Sequence, residues 1–229
     1  MGVFRFKRFS VTQDRSALKV GTDAVLLGAA MTIPEDCRNA LDIGTGTGVI
    51  ALMAAQRMEG TCEAHITGID IDAPSAEEAA ANFAASPWSA HLASECTALA
   101  DKRDGGPWDL IFSNPPYYDN SLRNPDEREA TARHTGSLTV ADICSFASAN
   151  LALSGQLSLI LPSDQERALL RTAASFGLYA FKIVRIRTSE RKPPRRIIAE
   201  FNLSRNASVR EELLTLGADT GALTGDFYL

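Results

Sequence analysis

The run Asn114-Pro115-Pro116-Tyr117 is the part of the chain best suited to chemistry, and it follows an apolar stretch, Trp108–Ser113. The side-chain oxygen of Asn114 and the carbonyl of Pro115 are two hydrogen-bond acceptors. Successive prolines fix φ and keep the preceding residue extended, so both acceptors sit on a rigid loop. Tyr117 adds an aromatic face, and stacking a planar base on such a face is worth about 1–3 kcal/mol. This set suits a planar nitrogen whose lone pair is delocalised. Acceptors placed on its N–H groups favour the pyramidal, nucleophilic form, and they act best when preorganised. The chemistry implied is direct transfer of a group onto that nitrogen, with in-line alignment as the main catalytic device. No cysteine is placed for a covalent intermediate, and no dedicated strong base is required. Taken alone, the same four residues also make a rigid turn after a strand.

A second motif lies upstream. Leu41-Asp42-Ile43-Gly44-Thr45-Gly46-Thr47-Gly48 puts G-x-G-x-G between an apolar strand and a helical run. Glycines allow a sharp turn and a close approach of ligand to backbone, and the following helix start offers unpaired N–H groups. Dinucleotide enzymes use this geometry with G-x-G-x-x-G spacing. The shorter spacing after an acid resembles the first motif of class I methyltransferases. That resemblance implies S-adenosylmethionine as cofactor, with Asp42 near its ammonium and Gly44, Thr45, Gly46 and Gly48 making room for the chain and ribose. A tight turn without a ligand is the plainer reading. Asp70 ends the next strand, where a carboxylate can accept from two ribose hydroxyls. Ile71 can pack on an adenine face. Asp72 fits either a ligand contact or the cap of the next helix. Glu95 stands where the family has an acid that binds the cofactor's adenine amino group, although a solvent-facing glutamate fits as well.

The elements that must hold these residues alternate. Strands are expected at Asn39–Ile43, Ala64–Ile69, His91–Cys96, Trp108–Ser113 and Gly155–Leu161. Helices are expected at Val49–Met58, Ser75–Ala85, Val140–Leu151 and Ser163–Phe176. Such alternation predicts an α/β fold, a Rossmann-like, mostly parallel sheet with helices on both faces. Phe181–Arg187 and Ile197–Leu203 flank a basic loop and predict an antiparallel edge hairpin. Residues 3–11 alternate as a strand, with 15–20 as its partner, and Thr22 is placed to cap a helix running to Met31. This makes a single domain over 1–229, with a cap at 1–35 and a cofactor-binding catalytic core at 36–229. The tail, 205–229, has no clear pattern, but its two terminal aromatics predict packing.

Composition narrows the class. Apolar residues make up 45% and charged residues 22%, as in ordinary globular chains. No apolar run reaches membrane-spanning length, and the start lacks a secretory signal, so a cytoplasmic protein is expected. Cys37, Cys62, Cys96 and Cys144 are widely spaced and read as free thiols. His65, His91 and His134 have no metal-ligand spacing, so no metal is expected. No segment calls for an obligate protein partner. The net charge is −5, yet basic residues gather at the margins. An acidic body with basic edges can bind a polyanion locally.

Nearly end to end, the chain resembles the bacterial tRNA adenine-N6 methyltransferases that act on adenine 37 beside the anticodon of a valine tRNA. The resemblance runs through Phe4–Phe9, Lys19–Ala29, Asp42–Gly48, Asn82-Phe83, Ser86–Trp88, Asn114–Tyr118 and Asp226–Leu229. It implies a flipped adenine at Asn114–Tyr117 and tRNA as the macromolecular partner. It also implies a cofactor contact at Thr22 or neighbouring backbone, since Lys19–Ala29 occupies the place of a segment that closes over the methionine end in related enzymes. The expected phosphate contacts are Arg187, Arg191, Lys192, Arg195 and Arg196, with Arg185 beside them, and Arg123, Arg128 and Arg133 after the catalytic loop. Residues 119–137 would make a lid over the entering base. The chain departs from the family in a shorter tail. Protein-glutamine methyltransferases share the Asn-Pro-Pro-Tyr logic but carry a helical domain before the glycine loop, whereas the stretch before Asp42 is short and reads as strands. A DNA adenine enzyme usually needs an added recognition region, for which little length remains.

Overall fold

The computed structural model describes residues 2–60, 64–116, 138–217 and 219–228. At the N-terminus, β1 (Val3–Arg5) and β2 (Ser10–Thr12) form an antiparallel hairpin with Phe4 opposite Val11. The expected partner segment, 15–20, is not a strand. Its backbone has no ladder to join because side chains take its donors: Glu78 accepts from Asp14, Arg15 and Ser16, and Gln13 accepts from Val20. The first helix, α1 (Thr22–Ala30), is capped by Gly21 rather than Thr22. The Gly21 carbonyl already accepts the first helical bond, from Val25, so Thr22 stands inside the helix and makes no capping bond.

The α/β body follows as β3 (Asn39–Ile43), α2 (Val49–Met58), β4 (His65–Asp70), α3 (Ala73–Ala84), β5 (Leu92–Cys96) and β6 (Trp108–Ser113). After residue 138 come α4 (Val140–Asn150), β7 (Leu151–Pro162), α5 (Glu166–Ser175), β8 (Tyr179–Arg187), β9 (Arg196–Asn202), β10 (Arg210–Thr215) and α6 (Thr220–Thr224). Among the described residues, one eight-stranded sheet runs β10-β8-β9-β7-β6-β3-β4-β5. Within it β9 runs against all the others. The β8–β9 hairpin is therefore present as expected. It lies one strand in from the edge, because β10 adds to β8 in parallel from the tail that had no clear pattern.

Two apolar layers sandwich the sheet. One gathers α1, α2 and Phe83 of α3, and the other gathers Ile143, Cys144 and Ala147 of α4 with Leu169 and Ala173 of α5. Helices thus cover both faces, which is why the central strands read as continuous apolar runs. α1 is held down by a buried polar group as well. Glu200 is fully buried, pairs with Lys182 at 3.1 Å and accepts the Thr32 N–H just past α1.

The chain passes from β3 out to β5 on one side and returns to β6 on the other. The sheet therefore has its topological switch point between β3 and β6, where ligands of open α/β sheets bind beyond the carboxyl ends of the strands. Gly48, the N-cap of α2, sits there with φ +80°, and a Cβ added to it would lie 2.4 Å from the Phe83 ring. The left-handed backbone and the ring contact act together. We expect Gly48→Ala to lose about 3 kcal/mol of stability by urea unfolding; an unchanged midpoint would contradict this packing.

Candidate active site

Parallel pairing of β3 with β6 puts Ile43 beside Ser113, and the Ser113 hydroxyl donates to the Ile43 carbonyl at 2.7 Å. The next residues on the two strands are Gly44 and Asn114, so the glycine turn and the Asn-Pro-Pro loop start side by side. Asn114 is half-buried, Pro115 buried and Pro116 exposed. Tyr117 lies outside the described residues, as do Cys62, Arg123, Arg128, Arg133 and the expected lid at 119–137.

The turn from Gly44 to Gly48 folds toward β4. The N–H groups of Gly44 and Thr45 both donate to the Ile69 carbonyl at 2.9 Å. Gly44 and Gly46 have φ of +71° and +54°. Among the described residues, added Cβ atoms there would meet only Leu138 at 3.9 Å and the Ser16 hydroxyl at 3.5 Å. The outer face of the turn is therefore an open cradle, and it fits a ligand that approaches main chain. Thr45 rests on Gly68 of β4, where an added Cβ would come within 2.6 Å of its hydroxyl.

Asp42 is fully buried beneath this turn. It accepts from the Thr45 hydroxyl at 2.8 Å, while its Oδ1 has no hydrogen-bond partner among the described residues. Burial, with a smaller contribution from the nearby Asp70 charge, pushes its carboxyl up to about 7 against the Thr45 bond. Asp70 is half-buried at the end of β4 and ties two loops together: Oδ2 accepts from Gly46 N–H and Oδ1 from Asp72 N–H, each at 2.9 Å. Ile71 beside it is 66% exposed. Asp72 is the helix cap of the two roles left open, accepting the Ser75 N–H at 3.0 Å and its hydroxyl at 2.6 Å. Glu95 is engaged elsewhere. Both its oxygens bind Lys102, at 2.9 and 2.7 Å, and the Lys102 side chain is 3% exposed. The residue past β5 that meets the Asp70 loop is Thr97, whose N–H donates to the Asp70 carbonyl at 3.0 Å.

Four residues without an expected role complete this region. Gly68 makes space for Thr45. Ser16 stands on Gly46. Glu78 and Asn82 reach from α3 to the segment before α1, and Asn82 also donates to the Thr47 carbonyl of the glycine turn at 2.9 Å. A signal for the last two was available: Ser75, Glu78 and Asn82 form a polar stripe at helical spacing on an otherwise alanine-rich helix.

The loop between β8 and β9 lies on the same rim of the sheet. Arg196 pairs in register with Pro162, the carboxyl end of β7, and β7 neighbours β6. Strand spacing of about 4.8 Å puts this loop roughly 10–15 Å from the end of β6. Its cations divide into two groups. Arg185 is tied to Glu166 at 2.6 Å and Glu211 at 2.8 Å. Arg187 donates to the Thr215 hydroxyl and the Glu190 carbonyl, and Arg196 holds Asp23 of α1 at 2.7 Å. Arg191, Lys192 and Arg195 are exposed. Among the described residues, no group of three or more His, Cys, Asp or Glu side chains could hold a metal, and no helix is long and apolar enough to cross a membrane.

Residues 16–167 match the model of the methyltransferase small domain. The chain belongs to that methyltransferase family. A protein of Phocaeicola vulgatus is 39% identical over 99% of this chain and 97% of its own, and it bears the name tRNA1(Val) (adenine(37)-N6)-methyltransferase. A protein of the same name from Porphyromonas gingivalis is 41% identical over 87% of this chain and 80% of its own. The fold recurs in a predicted O-methyltransferase from Agrobacterium tumefaciens, with a TM-score of 0.67 at 18% identity over 91% of this chain and 98% of that one. A methyltransferase from Pyrococcus furiosus superposes with a TM-score of 0.57 at 21% identity, covering 81% of this chain and 85% of that one. The glycine turn and the Asn-Pro-Pro loop of this methyltransferase both lie at the switch point of its sheet.

The buried Asp42 makes stability depend on pH. Its carboxyl titrates at about 7 in the fold against 3.8 ordinarily. Between those values the folded chain holds a proton that the unfolded chain has lost, so this group's contribution to stability falls as pH rises through that window. Asn at this position does not titrate. Urea unfolding of Asp42→Asn should show a stability gain over the parent that is near zero at about pH 4 and grows to about 2–4 kcal/mol by about pH 8. A gap that stays constant with pH would contradict this.

Proposed function

We propose that this methyltransferase carries a methyl group from S-adenosylmethionine to the exocyclic N6 of adenine in tRNA, at adenine 37 beside the anticodon of a valine tRNA. The observation that carries the reading is the placement of Asn114 and Pro115 next to Gly44, at the switch point, in a chain so similar over its length to the two named relatives. A cytoplasmic enzyme fits this substrate.

The residues fit the cofactor. The open Gly44–Gly46 cradle would take its backbone-facing chain, Asp70 would accept from the ribose, and exposed Ile71 would lie on the adenine. Asp42 would act from beneath the turn through Thr45, with Gly48 starting α2. Thr22, exposed in the first turn of α1, would border the methionine end. Glu95 would accept from the adenine amino group with a remaining lone pair, its two oxygens each already bound to Lys102. The bound cofactor supplies an electrophilic methyl on a sulfonium, which needs no activation by the protein.

The chain's own work is then to hold the amine. Asn114 Oδ1 and the Pro115 carbonyl would accept the two N–H bonds of the flipped base, directing the N6 lone pair at the methyl carbon. The methyl group supplied by the bound cofactor would pass to N6 at the expense of its bond to sulfur, and the methylated amine held by Asn114 and Pro115 would lose one proton to solvent. Pro116 holds the loop rigid and Tyr117 would stack on the base. Backbone phosphates would track along Arg191, Lys192 and Arg195, whose side chains carry no ion pair among the described residues. Arg187 and Arg196 fit this role less well because both are tied within the fold, and Arg123 and Arg133 would follow the entering base.

Transfer of labelled methyl to total tRNA from a strain lacking this protein should give N6-methyladenosine in a valine tRNA. Label in protein instead would overturn the reading. Asn114→Ala should lose at least about 100-fold in rate while still binding the cofactor. Changing Arg191 and Lys192 together to alanine should weaken tRNA binding and reduce its salt slope by about 2, with cofactor affinity intact; an unchanged slope would remove both from the interface.

A further inference from the structure

Glu78 has no role in the chemistry above, yet it is among the most elaborately satisfied polar groups in the structure. Its side chain lies on α3 and is 3% exposed. Oε1 accepts from the N–H groups of Asp14 and Arg15 at 2.7 and 2.9 Å, and Oε2 accepts from Ser16 N–H at 2.8 Å. Three successive backbone donors thus converge on one carboxyl, the arrangement of an anion-binding nest filled by the protein itself. A buried carboxyl is expensive unless its lone pairs are taken, so this segment and Glu78 hold each other.

The same segment is tied at its other points. Asn82, one turn on, accepts Thr12 N–H and donates to the carbonyls of Thr12 and Thr47, all at 2.9 Å. Gln13 closes the loop by accepting Val20 N–H at 2.8 Å, and Lys19 donates to the Gln13 carbonyl. Ser16 is thereby set on Gly46, 3.5 Å from where a Cβ would stand. Its hydroxyl donates to the Leu18 carbonyl and lies 3.2 Å from the Ser75 hydroxyl, which is bonded to Asp72. The loop fixed by Glu78 therefore touches the glycine turn at Gly46 and reaches Asp72 of the other framing segment through Ser75. Leu18 on one side and Ile71 on the other are exposed at 62% and 66%.

We infer that Glu78 is a positioning residue for the cofactor, holding Asp14–Leu18 as a wall of the crevice against Gly46. The inference rests on the reading that this crevice binds S-adenosylmethionine. In Glu78→Gln one acceptor remains for Asp14 and Arg15, but an NH2 group faces the Ser16 N–H. Glu78→Ala removes all three bonds. Gln13→Ala loosens the same loop from its far end without touching α3.

The test is calorimetric titration of the full chain and these variants with S-adenosylmethionine, alongside steady-state kinetics with tRNA. Glu78→Gln and Gln13→Ala should each raise the cofactor Kd about tenfold and Glu78→Ala by about 30-fold or more, as for lost buried hydrogen bonds. The KM for cofactor should rise in parallel, while the KM for tRNA is unchanged and kcat at saturating cofactor stays within about threefold. Lowered melting temperature with cofactor Kd unchanged in Glu78→Gln and Gln13→Ala would assign Glu78 to stability alone and overturn the inference. If Glu78→Ala fails to fold, the other two variants decide. Failure of the unmodified chain to bind the cofactor would overturn the functional reading itself, a different result from tight binding that the variants leave intact.

Discussion

Ser113 donates its hydroxyl to the carbonyl of Ile43 across the β3–β6 pair, at the place where the strand order reverses. That register decides how the two sequence motifs meet. A shift of one residue along either strand would separate Gly44 from Asn114 and turn alternate side chains to the other face. The buried layers above and below the sheet keep this register, since Leu41 and Ile43 face one layer and Ala40, Leu110 and Phe112 the other. Packing far from the crevice therefore sets the approach of the glycine turn to the Asn-Pro-Pro loop.

A second constraint works around the turn. Positive φ at Gly44, Gly46 and Gly48 gives a tight loop whose inner side is filled and whose outer side is open. Asp42 and Thr45 support it from below, and Asp70 reaches across to the Gly46 N–H. α3 joins this framework to the N-terminal segment through Glu78 and Asn82. The crevice is thus framed by the glycine turn and the Asp70 loop, and α3 ties the segment before α1 to that frame through Glu78 and Asn82. Electrostatics on the rim follow a similar division. Arg185, Arg187 and Arg196 fasten the outer strands and α1, which leaves Arg191, Lys192 and Arg195 turned to solvent.

Much of the fold was legible from pattern. β3, α2 and β6 fall where apolar runs and the glycine turn put them, because buried parallel strands and the helices between them have distinctive periods. In the N-terminal region α1 was legible too, but the segment before it was not. Residues 15–20 alternate well enough for a strand, but their donors are taken by Glu78 and Gln13, side chains whose contacts depend on the folded chain. β10 was missed for the converse reason: Arg210–Thr215 is a polar, exposed edge strand, whose pairing is supplied by β8 and leaves no apolar signature. The site divides in the same way. Asn114, Gly44, Gly46 and Asp70 were visible as motifs, while Asp72, Glu95 and Arg196 had charges whose partners only the fold reveals.

Local chemistry alone determined that the chain has a glycine turn suited to close ligand approach and a rigid loop of acceptors suited to a planar nitrogen. Those properties belong to residue types: glycine lacks a Cβ, proline fixes φ, and asparagine and carbonyl oxygens accept hydrogen bonds wherever they stand. Tertiary structure decided which charges remain available and which are closed. It turned Glu95 to Lys102, Arg196 to Asp23 and Glu78 to three backbone donors. A charged side chain's role depends on its nearest partner and on its burial, and both are properties of chain segments distant in sequence brought together by packing.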